Sequence, residues 1–147
     1  MIRYAVSSDA DWLLSQMQAN TDVCNILPSK EALEKEIGRK MYLVDEDDDT
    51  GALCSFVKFV VWPEYIRTFL IITDESCRNN GHASLLYQYL LAKYQKPIRY
   101  LVEAGSESER IWTMRNERVE NLTKQVRSVT ASDGTSFNQY EAQGLPK

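Results

Sequence analysis

One stretch, Tyr65 to Glu103, decides the fold, and it reads YIRTFLIITDESCRNNGHASLLYQYLLAKYQKPIRYLVE. Its β-branched and aromatic beginning predicts a buried strand, Tyr65–Thr73. Apolar side chains then recur at helical spacing and predict a helix from about Gly81 to Gln95. Because Pro97 cannot continue this helix, the chain must turn into a second strand, Ile98–Glu103. The stretch is therefore predicted to fold as strand, turn, helix and strand.

The turn inside this stretch, Arg78-Asn79-Asn80-Gly81-His82-Ala83, predicts an anion site. A strand that runs into a helix through a small-residue turn directs free backbone N–H groups and the positive helix end outward. Gly81 has no Cβ, so the backbone there can be approached closely. The most natural ligand is a phosphate-bearing cofactor. The alternative is an ordinary strand–helix turn with a close-packed glycine.

The rest of the chain supplies further strands and helices, in the order β-α-α-β-β-β-α-β-α-β-β. The fourth and fifth strands are joined by a helix and should be parallel, through a right-handed crossover, whereas the hairpins should be antiparallel. Ser7, Ser8 and Asp9 are predicted to cap the first helix, and Ser29 the second. The other predicted strands are Ile2–Val6, Lys40–Val44, Ala52–Val61, Thr123–Ala131 and Thr135–Ala142, and the other helices are Ala10–Asn20, Lys30–Gly38 and Glu107 to about Asn121.

Size and composition fit one domain that spans residues 1–147. A hydrophobic fraction of 44% and a charged fraction of 26% are ordinary for a soluble protein. No apolar run approaches the roughly 20 residues that cross a bilayer, and the N-terminus reads as a strand rather than a signal peptide. We therefore expect a cytoplasmic protein without membrane contact. The net charge of −4 argues against nonspecific nucleic-acid binding.

The cysteines and the histidine give no metal-binding pattern in the sequence. Cys24, Cys54 and Cys77 form no CxxC pair, and His82 is the only histidine. An odd number of cysteines without a secretion signal indicates free thiols. The sequence therefore predicts no metal site.

The element order and the turn together resemble the GNAT superfamily of N-acetyltransferases. The superfamily's cofactor signature is Gln/Arg-x-x-Gly-x-Gly/Ala, and Arg78, Gly81 and Ala83 occupy its specified positions. The resemblance implies an α/β (mixed α+β) fold with a twisted, mostly antiparallel sheet of about six to seven strands flanked by about four helices. It also implies acetyl-CoA as cofactor, with the pyrophosphate on the turn and the pantetheine arm along the fourth strand. The implied cofactor-binding residues are Ile71, Ile72, Thr73, Cys77, Arg78, Asn79, Asn80, Gly81, His82, Ala83 and Ser84.

The resemblance further implies transfer of an acetyl group to an amine by direct attack on the thioester. The acceptor would be an amine-bearing small molecule or a protein. Two departures favour an alternative, a catalytically inactive GNAT-like binding or structural protein of the kind that phages encode, package in virions or direct at a host. The stretch Glu103–Asn116 lacks the tyrosine that protonates the departing thiolate in many members. The Gly-Phe that usually opens the sixth strand is replaced within Leu122–Val126.

Catalytic candidates are few. Glu103, at the end of the fifth strand, is a candidate general base or a solvated carboxylate. His82 is a weaker candidate, since it lies at a variable position of the signature. Ser106 and Ser108 are expected to cap the following helix, although either hydroxyl could replace the missing tyrosine. The acidic run Asp45–Asp49 could attract a basic acceptor or form a solvated hairpin turn.

The acceptor side of the superfamily maps to about Asn20–Ser29 and Ser128–Phe137, both of which are polar and select no substrate. An exposed last strand could pair with a second copy, which would give a homodimer through the C-terminal strands.

Overall fold

The computed structural model describes residues 1–21, 24, 26–118 and 123–142, with the backbone alone at 115–118, 123 and 124. The predicted element order is confirmed. The strands are β1 (Ile2–Tyr4), β2 (Tyr42–Glu46), β3 (Leu53–Val61), β4 (Ile66–Thr73), β5 (Ile98–Glu103), β6 (Thr123–Thr130) and β7 (Ser136–Ala142). The helices are α1 (Ala10–Ala19), α2 (Lys30–Gly38), α3 (His82–Tyr94) and α4 (Glu107–Arg118), with short 3-10 turns at Ser7–Asp9 and Glu75–Cys77. The predicted end of the last helix, Asn121, lies outside the described residues.

The seven strands form one mixed sheet in the order β1-β2-β3-β4-β5-β7-β6. β4 and β5 are parallel, with Ile66 opposite Ile98, which confirms the predicted crossover. The pairs β1–β2, β2–β3, β5–β7 and β6–β7 are antiparallel. The last strand is not exposed, contrary to expectation, because β7 lies between β5 and β6. The edge strand next to β7 is β6.

The chain divides into two compact units, which are described separately. The first unit comprises Met1–Val60 and Phe69–Tyr89, and the second comprises Val61–Thr68 and Leu90–Lys147. In the first, apolar side chains of two helices and three strands form a core whose burial drives folding. Trp12 meets Phe56 edge-on at a ring-centroid distance of 6.0 Å. The fully or nearly buried members of this core include Leu13, Met17, Leu33, Ile37, Tyr42, Val44, Phe56 and Ile72.

The second unit has an aromatic centre on its strands. The Tyr100 ring of β5 stacks on the Tyr140 ring of β7 at 5.7 Å, and Trp112 of α4 lies 5.3 Å from Tyr100. Arg99 pairs with Glu141 across the same two strands at 2.8 Å and also covers the ring of Tyr65. None of the described helices in either unit is long and apolar enough to cross a membrane.

The predicted helix caps are confirmed at α2 and wrong at α1. The Ser29 hydroxyl accepts a hydrogen bond from Ala32 N at 3.1 Å, as a capping serine should. At α1 the residue in the cap position is Asp9, but its side chain makes no capping bond. Its carboxylate is buried and faces Arg3 of β1 instead. A salt bridge from the first strand therefore replaces the cap.

This salt bridge holds β1 to the turn that precedes α1. Arg3 donates to both carboxylate oxygens of Asp9, at 2.8 and 3.2 Å, and to Glu46 of β2 at 2.6 Å. Val6 N also donates to Asp9 at 2.8 Å. Burial alone would raise the pKa of Asp9, but the bonds from Arg3 and Val6 outweigh it and leave that pKa below its ordinary value. The charged form of Asp9 therefore stabilises the folded state.

We expect Asp9→Asn to lower the free energy of unfolding by about 2 kcal/mol at pH 7, the size of hydrogen bonds to a charged group. Urea denaturation measures it. Because the folded pKa is depressed, the contribution is complete above the unfolded aspartate pKa of about 4 and is lost as the pH falls through the lower folded value. The stability of the parent should therefore converge on that of the variant in acid.

The matched control is Asp11→Asn. Asp11 is also acidic and also salt-bridged, to Lys30 at 3.0 Å, but its side chain is 81% exposed. An exposed ion pair contributes little to stability. Equal losses in the two variants would contradict a special role for the buried carboxylate.

Candidate functional site

Asp74 anchors the turn after β4 to neighbouring elements of the first unit. Its backbone N donates to Cys54 O of β3 at 2.7 Å. Its carboxylate caps the 3-10 turn by accepting from Ser76 N at 3.1 Å, and it also accepts from Gln16 of α1 at 2.6 Å. Hydrogen bonds from Ser76 and Gln16 lower the pKa of Asp74, so it stays ionised near neutral pH. The start of the turn is thus tied to a strand and a helix.

The backbone of the turn has the form that binds anions. Asn79 and Gly81 have positive φ angles of 68° and 79°, with Asn80 between them. Such alternation aims successive N–H groups into one concavity. α3 then begins at His82, and its hydrogen bonds start with Leu85 N to Gly81 O at 3.0 Å. The N–H groups of the first helical turn have no intrahelical acceptor and point the same way.

Gly81 is required by its backbone conformation, not by crowding within the chain. A Cβ added there would meet no heavy atom of the described residues within 4 Å. The positive φ disfavours any residue with a side chain, and Asn79 belongs to the type that tolerates it best. Arg78, Asn79, Asn80 and Gly81 are all exposed. The concavity is therefore open on its outer side.

Side chains of the turn brace it from within. The Arg78 guanidinium donates to Thr73 O at 3.2 Å and to Asn20 at the end of α1 at 3.0 Å. The Asn80 amide donates to Cys77 O at 3.2 Å. The two bonds of Arg78 fix its positive charge against the end of β4 and the end of α1. The arrangement suits a phosphate or pyrophosphate group.

The strand residues predicted to line a cofactor differ in exposure. Ile71 and Thr73 of β4 are partly exposed, whereas Ile72 is 3% exposed and packs in the core with Phe56. The side chain of Ile72 is therefore part of the protein interior. Its contribution to a ligand would come from the backbone alone.

His82 and Asp45 meet in a contact that the sequence did not indicate. The Nδ1 atom of His82 lies 2.6 Å from Oδ2 of Asp45. The acidic run was expected to be a hairpin turn from Asp45 onward, but β2 continues to Glu46, and Asp45 is buried in it. The prediction of a solvated turn is therefore wrong at Asp45 and Glu46. His82 points to this buried carboxylate.

Two cysteines lie beside this histidine. The Sγ atom of Cys77 is 2.9 Å from that of Cys54, and ligand atoms of Cys54, Cys77 and His82 all lie within 4.8 Å of one another. Burial, and then the Cys77 thiol, raise the pKa of Cys54. Sequence spacing missed this group, because Cys54 belongs to β3, Cys77 to the 3-10 turn after β4 and His82 to the start of α3.

In the second unit, Glu103 is exposed at the end of β5, opposite Phe137 of β7. Glu109 of α4, which is partly exposed, has the more extensive hydrogen-bond network. Its carboxylate accepts from Gly105 N at 3.1 Å, from Asn138 at 2.5 Å and from the Tyr140 hydroxyl at 3.2 Å. The bond from Asn138, followed by that from Gly105, lowers the pKa of Glu109.

Sequence reasoning missed Glu109, although a signal was present. Ser106 caps α4, as predicted, by accepting from Glu109 N at 3.2 Å. Ser-x-x-Glu at this position is a capping-box pattern, which marks the glutamate as a residue turned back over the helix start. Here the Glu109 carboxylate accepts a hydrogen bond from Gly105 N, one residue before the cap. It also accepts hydrogen bonds from two side chains of β7.

The hydroxyl group that donates to Glu109 belongs to a strand residue, Tyr140. Tyr140 lies on β7, whereas the stretch Glu103–Asn116 contains no tyrosine. Burial raises the pKa of Tyr140, and the nearby Glu109 charge adds to the effect. The phenol therefore keeps its proton at neutral pH and donates it in a hydrogen bond to Glu109.

The sequence itself matches no protein-family model, and no curated protein matches it at significance. Solved structures do match. The ribosomal-protein-alanine N-acetyltransferase of Brucella melitensis aligns with a TM-score of 0.71 and 15% identity over 96% of this chain and 98% of its own. An N-acetyltransferase of Staphylococcus aureus Mu50 aligns with a TM-score of 0.70 and 19% identity over 96% of each chain.

A third similar structure contains coenzyme A. The PaiA N-acetyltransferase of Thermoplasma acidophilum, in complex with coenzyme A, aligns with a TM-score of 0.67 and 13% identity over 95% of this chain and 96% of its own. The chain has the GNAT fold. This confirms the predicted mixed architecture, since at these identities a structural match establishes the fold.

The backbone conformation of the turn at Gly81 can be tested with one substitution. We expect Gly81→Ala to lower the free energy of unfolding by about 1 kcal/mol, because alanine resists a left-handed conformation. Urea denaturation is the measurement.

The matched control is Gly38→Ala. Gly38 ends α2 without a positive φ, and an added Cβ there also meets open space. Replacement of a helical glycine by alanine should raise stability by about 0.5–1 kcal/mol. The two variants should therefore shift stability in opposite directions, and a stabilising Gly81→Ala would contradict the conformation described.

Proposed function

We propose that this chain is an acetyl-CoA-dependent N-acetyltransferase. The observation that carries the proposal is the turn from Arg78 to Ser84, which joins alternating φ signs to the start of α3 in a GNAT fold. The complex of PaiA with coenzyme A supports it, because that protein shares the fold over nearly its whole length.

The pyrophosphate of acetyl-CoA would be held by backbone N–H groups from Cys77 to Ser84. The helix dipole and the braced Arg78 guanidinium would stabilise its negative charge. The pantetheine arm would run along Ile71, Ile72 and Thr73, where its amides can bond to strand groups as an added strand does. Most of the affinity would come from these backbone contacts.

The reaction would be a direct transfer. The amine nitrogen attacks the thioester carbonyl carbon, a C–N bond forms, and the C–S bond breaks to release the CoA thiolate. One proton leaves the amine, and one reaches the thiolate. Glu103 is our candidate base for the first. The acceptor would be an amine-bearing small molecule or a protein.

The proposal includes a cytoplasmic location and a homodimer. A cytoplasmic location fits three cysteines that form no disulfide in the described part of the chain. A homodimer would form through β6, the strand at the C-terminal end of the sheet, because such a strand offers backbone groups to a second copy.

Cofactor binding is tested with a charge placed in the turn. We expect Gly81→Asp to weaken acetyl-CoA binding by more than about tenfold, or about 1.4 kcal/mol, because a carboxylate would repel the pyrophosphate. Titration calorimetry gives the affinity. Binding of S-acetylpantetheine, which has no pyrophosphate, should differ little between parent and variant.

The matched control is Gly134→Asp in the β6–β7 hairpin. Gly134 also has a positive φ, of 89°, and open space around an added Cβ, so the backbone strain is equivalent. It should leave acetyl-CoA affinity unchanged. No binding by the parent at millimolar acetyl-CoA would refute the proposal.

Catalysis is tested by release of CoA thiol in the presence of a panel of polyamines, amino acids and peptides with free N-termini. If Glu103 is the base, Glu103→Gln should lower kcat by about 10²-fold or more.

An unchanged pH–rate profile in Glu103→Gln would exclude that residue as the base. Tight, Gly81-dependent binding without turnover on any amine would favour the alternative of a GNAT-like binding protein.

A further inference from the structure

We propose that Cys54, Cys77 and His82 form a zinc site beneath the turn, with Asp45 as the residue that orients the histidine. The inference does not rest on acetyl-CoA binding or on transfer chemistry. It replaces the expectation from sequence spacing that the chain holds no metal site.

Three separate elements bring the ligands together. Cys54 lies on β3, Cys77 ends the 3-10 turn, and His82 is the first residue of α3. Their ligand atoms lie within 4.8 Å of one another. The first two are held by the backbone, since Asp74 N donates to Cys54 O at 2.7 Å and Cys77 N donates to Asp74 O at 2.9 Å. The cluster is therefore built by the fold.

The orientation of His82 is the second independent observation. Its Nδ1 faces Asp45 at 2.6 Å, and Asp45 is buried at 7% exposure. Donation of Nδ1–H to the carboxylate leaves the Nε2 lone pair free for a cation. A carboxylate behind a histidine is the usual arrangement around zinc, where it fixes the ring and raises its basicity.

The distances require only a small adjustment. Tetrahedral zinc with Zn–S bonds of about 2.3 Å separates two sulfurs by about 3.8 Å. The present Sγ–Sγ distance of 2.9 Å is shorter, so the two thiol groups would move apart by roughly 0.9 Å on binding. Cys54 is buried, while Cys77 and His82 are partly exposed. The exposed side leaves an entry path and a fourth position for water.

The ligand set selects the metal. Two thiolates and an imidazole favour zinc over magnesium or calcium, which prefer oxygen ligands. A disulfide between the cysteines is the competing fate of the same pair, but it makes no use of an imidazole oriented by a buried carboxylate. On binding, both thiols lose their S–H protons to the buffer, and two Zn–S bonds and one Zn–N bond form.

The test uses the whole chain, freed of metal by a chelator and kept reduced by a phosphine. Co²⁺ is the spectroscopic probe and Zn²⁺ the competitor. We expect a sulfur-to-cobalt charge-transfer band that saturates at one equivalent and disappears when Zn²⁺ is added. Calorimetry in buffers of different ionisation enthalpy should show two protons released for each Zn²⁺ bound.

Variants identify the ligands. Cys54→Ser and Cys77→Ser should each weaken the band and lower Zn²⁺ affinity at least tenfold, and His82→Asn should lower affinity while it retains the sulfur band. Asp45→Asn should weaken Zn²⁺ by about tenfold, as outer partners of zinc histidines do. Cys24→Ser is the matched control, because it removes the third thiol and should change nothing.

Absence of a cobalt band in the fully reduced parent would overturn the proposal without reference to any variant. A parent in which mass spectrometry finds a Cys54–Cys77 disulfide, and which still binds no metal once reduced, would also overturn it. Circular dichroism of each variant separates loss of a ligand from loss of fold.

Discussion

The hydrogen bond from Asp74 N to Cys54 O is the contact on which the turn and both proposed sites depend. It fixes the end of β4 against β3 at 2.7 Å. The Asp74 carboxylate then ties the same point to α1 through Gln16 and caps the short turn at Ser76. Because this corner is held on three sides, the backbone beyond it can keep the strained, positive φ angles of Asn79 and Gly81. The N–H groups of the turn are thereby arranged before any ligand arrives.

Much of the fold could be read from local patterns. Alternation and β-branched residues predicted all seven strands, helical spacing predicted four helices, and Ser29 and Ser106 mark helix starts because a serine hydroxyl accepts from the third residue on. The turn was also local, since Gly81 stands between a strand and an amphipathic helix, although its positive φ was not predicted. The parallel pairing of β4 with β5 followed from the connecting helix alone.

The contacts that escaped prediction join residues far apart in sequence. Asp9 resembles a cap until Arg3 of β1 is placed beside it. Asp45 reads as part of an acidic turn until β2 buries it against His82. Tyr140 bonds Glu109 although its strand is remote from α4 in the chain. In each case the residue type indicated that a polar partner was needed. Which residue is the partner depends on strand order and register, which a single sequence does not specify.

The central claim is that the N–H groups of residues 79–84 bind a pyrophosphate, and amide chemical shifts report on those groups directly. In ¹H–¹⁵N spectra recorded during titration with CoA, we expect the largest shifts at these residues, with the Gly81 and Ala83 amides among them. Titration with pantetheine, which lacks the pyrophosphate, should leave them nearly unmoved and shift residues of β4 instead. Saturable CoA binding that leaves residues 79–84 unshifted would contradict the account.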